Sequence, residues 1–139
     1  MHLNHKPYEP HIDADNKGIH IIYKDPGANR LGLYIGKING TPTILLKPGM
    51  SARIERCVLA HEIVHAEHDD QPTPDPVWHA KRENRCDRIA ADRLIDTEKL
   101  QQVVAQYDDP GQWANELDVT GWILDAWLTA NRGVLASAA

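Results

Sequence analysis

The sequence predicts an α+β fold in which a small three-stranded antiparallel sheet packs on one helix, with further helices toward the C-terminus. Two observations support this class. Short runs of β-branched and aliphatic residues, bounded by turn residues, occupy residues 18–47, whereas apolar residues recur at helical spacing after residue 51. The dipeptide Asn39-Gly40 lies between two of the short runs and is a strong signal for a tight hairpin.

The first third of the chain divides into a lead-in and three strands. Residues 1–17 are polar and rich in turn formers, and we expect them to be a loosely ordered lead-in. Strands are predicted at 18–23, 31–37 and 41–47, because apolar residues there alternate or cluster between turn signals. We expect these strands to form the antiparallel sheet and to lie against the helix that follows.

The central helix is predicted to begin after Ser51, a suitable N-cap residue that follows Pro48-Gly49. A stripe at helical spacing then contains Ile54, Cys57, Val58, His61 and His65. The two histidines therefore belong to the apolar face and are expected to point into the protein. Buried histidines need polar partners, and a single metal ion can serve both.

The segment His61-Glu62-Ile63-Val64-His65 reads H-E-x-x-H. On a helix this spacing places both imidazoles on one face, where two nitrogens can bind one Zn²⁺ ion at about 2.0–2.1 Å. Glu62 projects from the same turn, where a carboxylate can accept a proton from a water held by the metal. The motif predicts one catalytic zinc ion per chain. The alternative is a chance match in which both histidines are ordinary polar surface.

A catalytic zinc site normally has three protein ligands, and the third should come from a following element. The candidates are Glu67, His68, Asp69, Asp70, Asp75, His79, Glu83, Asp87 and Asp92. We favour Glu83, which shares a predicted helical face with Asp87 four residues later. Asp87 would then accept the other ring N–H of a ligand histidine and fix its tautomer. Alternatively, these two carboxylates pair with neighbouring arginines, or Cys57 supplies a soft ligand.

The combination of the two motifs resembles the ImmA/IrrE family of metallopeptidases. Members of that family show H-E-x-x-H followed by E-x-x-A-[ND]-x-F-A-x-x-L-L. This chain has the first motif and then Glu83-x-x-x-Asp87-x-Ile89-Ala90-Ala91-x-x-Leu94, in which Glu83, Asp87, Ala90 and Leu94 match the family residues. The resemblance covers about residues 18–95 and implies a zincin in which two helix histidines and a glutamate hold zinc. Cys86 and Ile89 depart from the family pattern, but neither change removes a ligand.

Residues 68–77 contain three prolines and several acidic residues, which predicts a loop between two helices at the mouth of the site. His68 and His79, near this loop, are candidates to stabilise the oxyanion of a tetrahedral intermediate. A solvated loop histidine is the alternative for each of them. Tyr34 and Tyr23, from the predicted sheet, are further candidates for the same role.

Helices are predicted through 97–133, followed by a tail at 134–139, and we expect them to pack as a subdomain on a core formed by 18–96. A short turn before Thr120 gives a pattern like a helix-turn-helix, so a DNA-binding module is a rival interpretation. The predicted recognition helix has only Arg132 beyond its end, and the net charge is −5. A groove-binding helix needs a basic footprint, so direct nucleic-acid binding is not expected.

The composition is typical of a one-domain globular protein, with 139 residues, 42% hydrophobic and 25% charged. No apolar run approaches the roughly 20 residues of a membrane span. The first residues lack the apolar core of a signal peptide, and we expect a cytoplasmic protein that does not bind membranes. Cys57 and Cys86 fit that compartment as free thiols. The side chains expected in the helical core include Trp113, Trp122 and Trp127.

These residues predict hydrolysis of a peptide bond by a zinc-activated water, with Glu62 moving the proton. The family resemblance implies a regulatory protein as substrate, typically a helix-turn-helix transcriptional repressor of a phage or mobile element. A non-catalytic regulator that binds a repressor and uses zinc only structurally is the rival within the same family.

Overall fold

The computed structural model describes residues 7–133. In chain order, the elements of that part of the chain are α1 (Pro10–Asn16), β1 (His20–Tyr23), β2 (Gly32–Ile38), β3 (Thr41–Leu46), α2 (Ala52–His68), α3 (Pro76–Leu94), α4 (Thr97–Gln106), α5 (Pro110–Leu117) and α6 (Gly121–Ala130). The fold class is α+β, as the sequence predicts.

The sheet is mixed rather than purely antiparallel, because its strand order is β1-β3-β2. β2 and β3 are antiparallel, with Leu33 opposite Leu45. β1 pairs in parallel with β3, with Ile21 opposite Ile44. The chain reverses direction twice between β1 and β3, so the two strands run the same way when they become neighbours. The prediction of an antiparallel sheet is therefore wrong for β1, whose partner is chosen by the tertiary fold.

The hairpin between β2 and β3 turns at the predicted dipeptide. Asn39 and Gly40 have φ values of 51° and 83°. Two consecutive positive φ values are what a two-residue type I′ hairpin turn requires, and Asn-Gly adopts them at low cost. The prediction of this hairpin is confirmed. The pairing register of β2 with β3 shifts between Tyr34 and Gly36, so β2 has a β-bulge between these two residues.

The N-terminal segment contains a helix where the sequence predicted a loosely ordered lead-in. Pro10 lies in the first turn of α1, where a missing N–H is tolerated, and Ala14 is fully buried. Lys17, just after the helix, pairs with Glu67 of α2 at 3.0 Å. The expectation is wrong for Pro10–Asn16 because seven residues are too few for helical periodicity to stand out. Residues 1–6 and the predicted tail at 134–139 lie outside the described residues.

The first central helix begins at its predicted cap, and the predicted loop separates it from the second. Ser51 is the N-cap of α2, and its hydroxyl oxygen accepts the N–H of Ile54 at 3.2 Å. α2 ends at His68, and the left-handed φ of 47° at its C-cap residue, Asp69, stops the helix. α3 then starts at Pro76 behind the N-cap Asp75. The loop at 69–75 brings α3 back onto α2, and the two helices are in contact.

α2 lies between two hydrophobic clusters. On one side Leu59 and Ile63 pack with the sheet and with α1. On the other side Cys57 and Ala60 pack with α3 and with the helices of residues 97–133. Burial on both sides fixes the rotation of α2, which decides where its histidines point. Within residues 7–133, no helix is both long and apolar enough to cross a membrane.

Candidate metal centre

The two motif histidines and Glu83 meet between α2 and α3. Nε2 of His61 lies 2.6 Å from Oε2 of Glu83, and Nε2 of His65 lies 3.1 Å from Oε1 of the same carboxylate. The contact between α2 and α3 brings Glu83 onto the turn that joins the two histidines. These three side chains, separated by up to 22 residues in the sequence, therefore place three donor groups around one point.

The outer nitrogen of each histidine is held by a carboxylate. Nδ1 of His61 donates to Oδ1 of Asp87 at 2.7 Å. Nδ1 of His65 donates to Oδ2 of Asp70 at 2.8 Å, and Arg85 donates to the same oxygen of Asp70. A carboxylate accepts only from a ring N–H, so both histidines are protonated at Nδ1 and direct Nε2 toward Glu83.

From the sequence, Asp70 is only one of the candidate third ligands. In the structure it instead accepts the Nδ1–H of His65, on the side of the ring away from Glu83. It directly follows the turn that ends α2, which brings its carboxylate back to the last helical turn. The sequence signal for this contact is that Asp70 follows His65 by five residues. That signal is weak, because the backbone at Asp69 decides where Asp70 points.

Glu62 lies beside the histidines and is buried, with 7% of its surface exposed. Its Oε1 accepts the backbone N–H of Tyr34 at 3.0 Å, and its Oε2 lies 4.0 Å from Nε2 of His61. Burial raises the pKa of Glu62 above its ordinary value, although the neighbouring histidines oppose this. A raised pKa makes the carboxylate a stronger base, which suits a group that accepts a proton from water.

The approach of β2 to Glu62 depends on a glycine. A Cβ atom at Gly32 would lie 2.6 Å from Cγ1 of Val58 and 3.2 Å from Cγ of Glu62. Any side chain at this position would therefore push β2 away from α2, or would displace Glu62. Gly32 was not singled out in the sequence, because its role depends on the packing of β2 against a distant helix.

The hydrogen bonds at the site raise the pKa values of both histidines. Burial disfavours the imidazolium of His61, but hydrogen bonds to Asp87 and Glu83 outweigh it and raise its pKa to about 10. Burial likewise opposes the charge on His65, and contacts with Cys86 and Glu83 raise its pKa to about 11.

The same hydrogen bonds hold the pKa of Glu83 well below its ordinary value, although burial opposes this. When both histidines are protonated, the N–H at each Nε2 donates a hydrogen bond to the Glu83 carboxylate. One divalent cation in place of two protons leaves the total charge of the site unchanged. Imidazole nitrogen and carboxylate oxygen are also donors that zinc prefers.

Cys86 forms a second grouping with the same histidines. Its sulfur and the ring nitrogens of His61 and His65 lie within 4.8 Å of one another. However, Sγ lies 3.5 Å from Nδ1 of His65, the nitrogen that donates to Asp70. A metal held through Cys86 would have to displace Asp70, whereas one held through Glu83 leaves both outer hydrogen bonds intact. The geometry therefore favours Glu83 over Cys86 as the third donor.

The other candidate residues fall in different places. Cys57 is fully buried in the cluster between α2 and the C-terminal helices, so the structure does not bring it to the site. His68 directs Nδ1 to the backbone oxygen of Val64 at 2.9 Å, within its own helix. Tyr23 donates its hydroxyl to Glu55, at the outer side of α2.

Two of the proposed oxyanion stabilisers do line the cavity above the site. Nε2 of His79 lies 3.8 Å from Oε1 of Glu83, and its side chain is 55% exposed. The hydroxyl of Tyr34 donates to Oδ1 of Asp69 at 2.5 Å. Burial, together with that hydrogen bond, raises the pKa of Tyr34 to about 12. The hydroxyl of Tyr34 thus anchors the end of α2, whereas the side chain of His79 is largely exposed at the cavity.

The cavity has a volume of about 580 Å³ and lies between β2, α2 and α3. Residues 30–34 form one wall, and the loop at 70–73 with the first turns of α3 forms the other. The floor consists of Val58, His61, Glu62 and His65. This is the size of a cleft that accepts a small ligand or a short stretch of peptide.

A mixed sheet beside an H-E-x-x-H helix, with two histidines and a glutamate converging in a cleft, defines a metallopeptidase-like domain. The profile of the IrrE N-terminal-like domain, peptidase family M78, matches residues 14–124, and the chain belongs to this family. The resemblance found in the sequence is thereby confirmed. No curated protein shows a significant match to the chain.

Proposed function

We propose that the protein is a zinc-dependent metalloendopeptidase in which His61, His65 and Glu83 hold the ion. The observation that carries the proposal is the convergence of both Nε2 atoms on the Glu83 carboxylate, at 2.6 and 3.1 Å. The buried carboxylate of Glu62 lies beside them, where an acid–base group is needed. Family membership supports the same activity.

A bound zinc ion would supply Lewis acidity, which makes a water molecule more acidic and polarises the carbonyl of the scissile bond. Glu62 accepts the proton from that water and later returns it to the leaving amine. The N–H of Tyr34 holds one oxygen of Glu62 in place, which leaves the other free to receive the proton. Asp87 and Asp70 keep both histidines in the tautomer that presents Nε2.

The substrate of such a site would bind along β2. The strand order leaves β2 at the edge of the sheet, and its first residues line the cleft. An edge strand offers unpaired backbone groups to an extended peptide, which can add to the sheet as a further strand. The proposed substrate segment is therefore extended where it passes the site.

We further propose that the physiological substrate is a regulatory protein in the cytoplasm, such as a helix-turn-helix repressor of a phage or mobile element. The support is the family resemblance described above. A narrow cleft of about 580 Å³ suits a dedicated partner better than a broad range of substrates. The rival, an anti-repressor that binds the same partner without cutting it, needs the metal site but does not need Glu62.

The experiment is the Glu62→Gln substitution in zinc-loaded protein. The amide preserves the size of the side chain and the acceptor for Tyr34, but it cannot take up the proton. Cleavage of a mixed peptide library, followed by mass spectrometry, should fall by more than about 100-fold, while the bound zinc stays at the wild-type level. Glu55→Gln, on the same helix and remote from the cleft, is the control that should cleave normally. Undiminished cleavage by the protein carrying Glu62→Gln would refute the mechanism.

A further inference from the structure

One residue of the C-terminal helices reaches the candidate active-site cleft. Among residues 97–133, Trp122 alone lines the cavity. The sequence led us to expect Trp113, Trp122 and Trp127 in the core, and this holds for Trp127, which is 2% exposed. Trp113 is half-buried and donates its Nε1–H to the backbone oxygen of Tyr107. Trp122 is 40% exposed, so the expectation is wrong for this residue.

The surroundings of Trp122 make one end of the cleft apolar. Leu31 lines the same cavity, in the wall formed by residues 30–34, and is 37% exposed. Val58 forms the floor, and the missing side chain of Gly32 lets the backbone of β2 lie directly on it. Val58 precedes His61 by three residues, so this apolar end lies one helical turn from the proposed metal ligand.

The other end of the cleft is polar. His79 and Arg82 line it from the first turns of α3. Arg82 donates to the backbone oxygen of Gln71, in the loop that follows α2, and His79 lies 3.8 Å from Glu83, so both residues lie toward the C-terminal end of α2, away from Val58. The apolar side chains of the cleft therefore lie toward Val58, where the exposed Arg30 precedes Leu31, and the proposed catalytic groups separate them from His79 and Arg82.

We propose that Trp122, Leu31 and Val58 form a subsite for a bulky aliphatic or aromatic side chain next to the scissile bond. The proposal rests on the proposed peptidase function and deepens it by naming the substrate class. A substrate side chain placed here would cover apolar surface that Trp122 and Leu31 otherwise expose to water. Tryptophan in a partly enclosed pocket is also the residue type that most often dominates binding.

The subsite is tested by binding, so that the result does not depend on cleavage. The probes are fluorescein-labelled, end-capped decapeptides of otherwise identical sequence, with Phe, Leu, Ala, Ser or Glu at one position, scanned along the peptide. Zinc-loaded protein carrying Glu62→Gln should bind the best Phe or Leu peptide at least about tenfold more tightly than its Ser counterpart. Adding Trp122→Ala should remove most of that difference and leave binding of the Ser peptide nearly unchanged.

Matched variants separate a subsite from a structural effect. Trp78→Ala removes another exposed tryptophan, 53% exposed and outside the cavity lining, and should leave the preference intact. Leu31→Ser alters the subsite from the wall formed by residues 30–34 and should reduce the preference even if Trp122→Ala fails to fold. Trp122→Phe should keep most of it, because an aromatic surface remains.

The outcomes distinguish the subsite from the peptidase activity. A preference for Ser or Glu, or an equal loss for all peptides in the Trp122→Ala protein, would overturn the subsite. A selective loss of Phe and Leu binding would support it. If protein that retains Glu62 cleaves none of the peptides while the preference is present, the peptidase proposal fails and the apolar subsite stands.

Discussion

Nε2 of His61 lies 2.6 Å from Oε2 of Glu83, although the two residues belong to different helices and are separated by a proline-containing loop. The relationship joins the two motifs that the sequence shows separately. It also defines where a metal ion has to sit to be shared by both motifs. Several measurable consequences depend on this placement of Glu83 rather than of any other acidic residue.

The first prediction concerns the third ligand. Glu83→Gln should weaken zinc binding by more than about 100-fold, because the amide oxygen carries no charge and the donor set loses its only carboxylate. Cys86→Ser should change the affinity by no more than about threefold, since Sγ faces Nδ1 of His65 rather than Nε2. Competition with a chromogenic zinc chelator measures both. The opposite ranking would move the ligand from Glu83 to Cys86.

The second prediction concerns the carboxylates behind the histidines. Asp70→Asn and Asp87→Asn should each reduce zinc affinity by about 10- to 100-fold, because the ring N–H keeps an acceptor but loses the negative charge that increases the basicity of Nε2. Asp92→Asn, at an exposed position on α3, is the matched control and should have no effect. If Asp70→Asn behaves like the control, the proposed function of Asp70 as a positioning residue is wrong.

The third prediction concerns the close contact of β2 with α2. Gly32→Ala should lower the free energy of unfolding by about 1–3 kcal/mol and reduce peptide cleavage, because the new methyl group meets Val58 and Glu62. Chemical denaturation and a peptide-cleavage assay measure the two effects. Combining Gly32→Ala with Val58→Ala removes the atom at 2.6 Å and should restore part of the stability. A double variant no more stable than Gly32→Ala alone would argue against this contact as the cause.

The fourth prediction concerns pH and the metal-free protein. The pKa of His61 rises from 6.5 to about 10 on folding, and that of His65 to about 11. A pKa raised by folding stabilises the native state fully below the unfolded value and loses that contribution as the pH rises through the folded value. In EDTA, the free energy of unfolding should therefore fall between about pH 6.5 and pH 10.

Zinc should abolish much of this pH dependence, because it takes the place of the protons on Nε2. Addition of zinc to metal-free protein at about pH 7.5 should accordingly release about two protons, which an indicator dye detects. A variant carrying His61→Gln and His65→Gln is the control and should show neither effect. Metal uptake without proton release would contradict the protonated state of the two histidines.

The parts of the fold that follow from local sequence were predictable. The hairpin at Asn39-Gly40 requires two positive φ values that these residues adopt readily, and no distant contact is needed. The start of α2 at Ser51 likewise depends on a hydrogen bond within one turn. The short helix α1 was missed because its stability depends on burying Ala14 against other elements rather than on its own pattern.

The order of residues along α2 is enough to bring the reactive groups together, because helical spacing places His61 and His65 on one face, with Glu62 on the adjoining side of the same turn. Which groups surround them depends on the tertiary structure. Packing on both sides of α2 sets the rotation that directs the histidines to Glu83, and the turn at Asp69 places Asp70 behind His65. Pairing of β1 with β3 and the entry of Trp122 into the cleft are decided in the same way, since each depends on contacts between elements that are far apart in the chain.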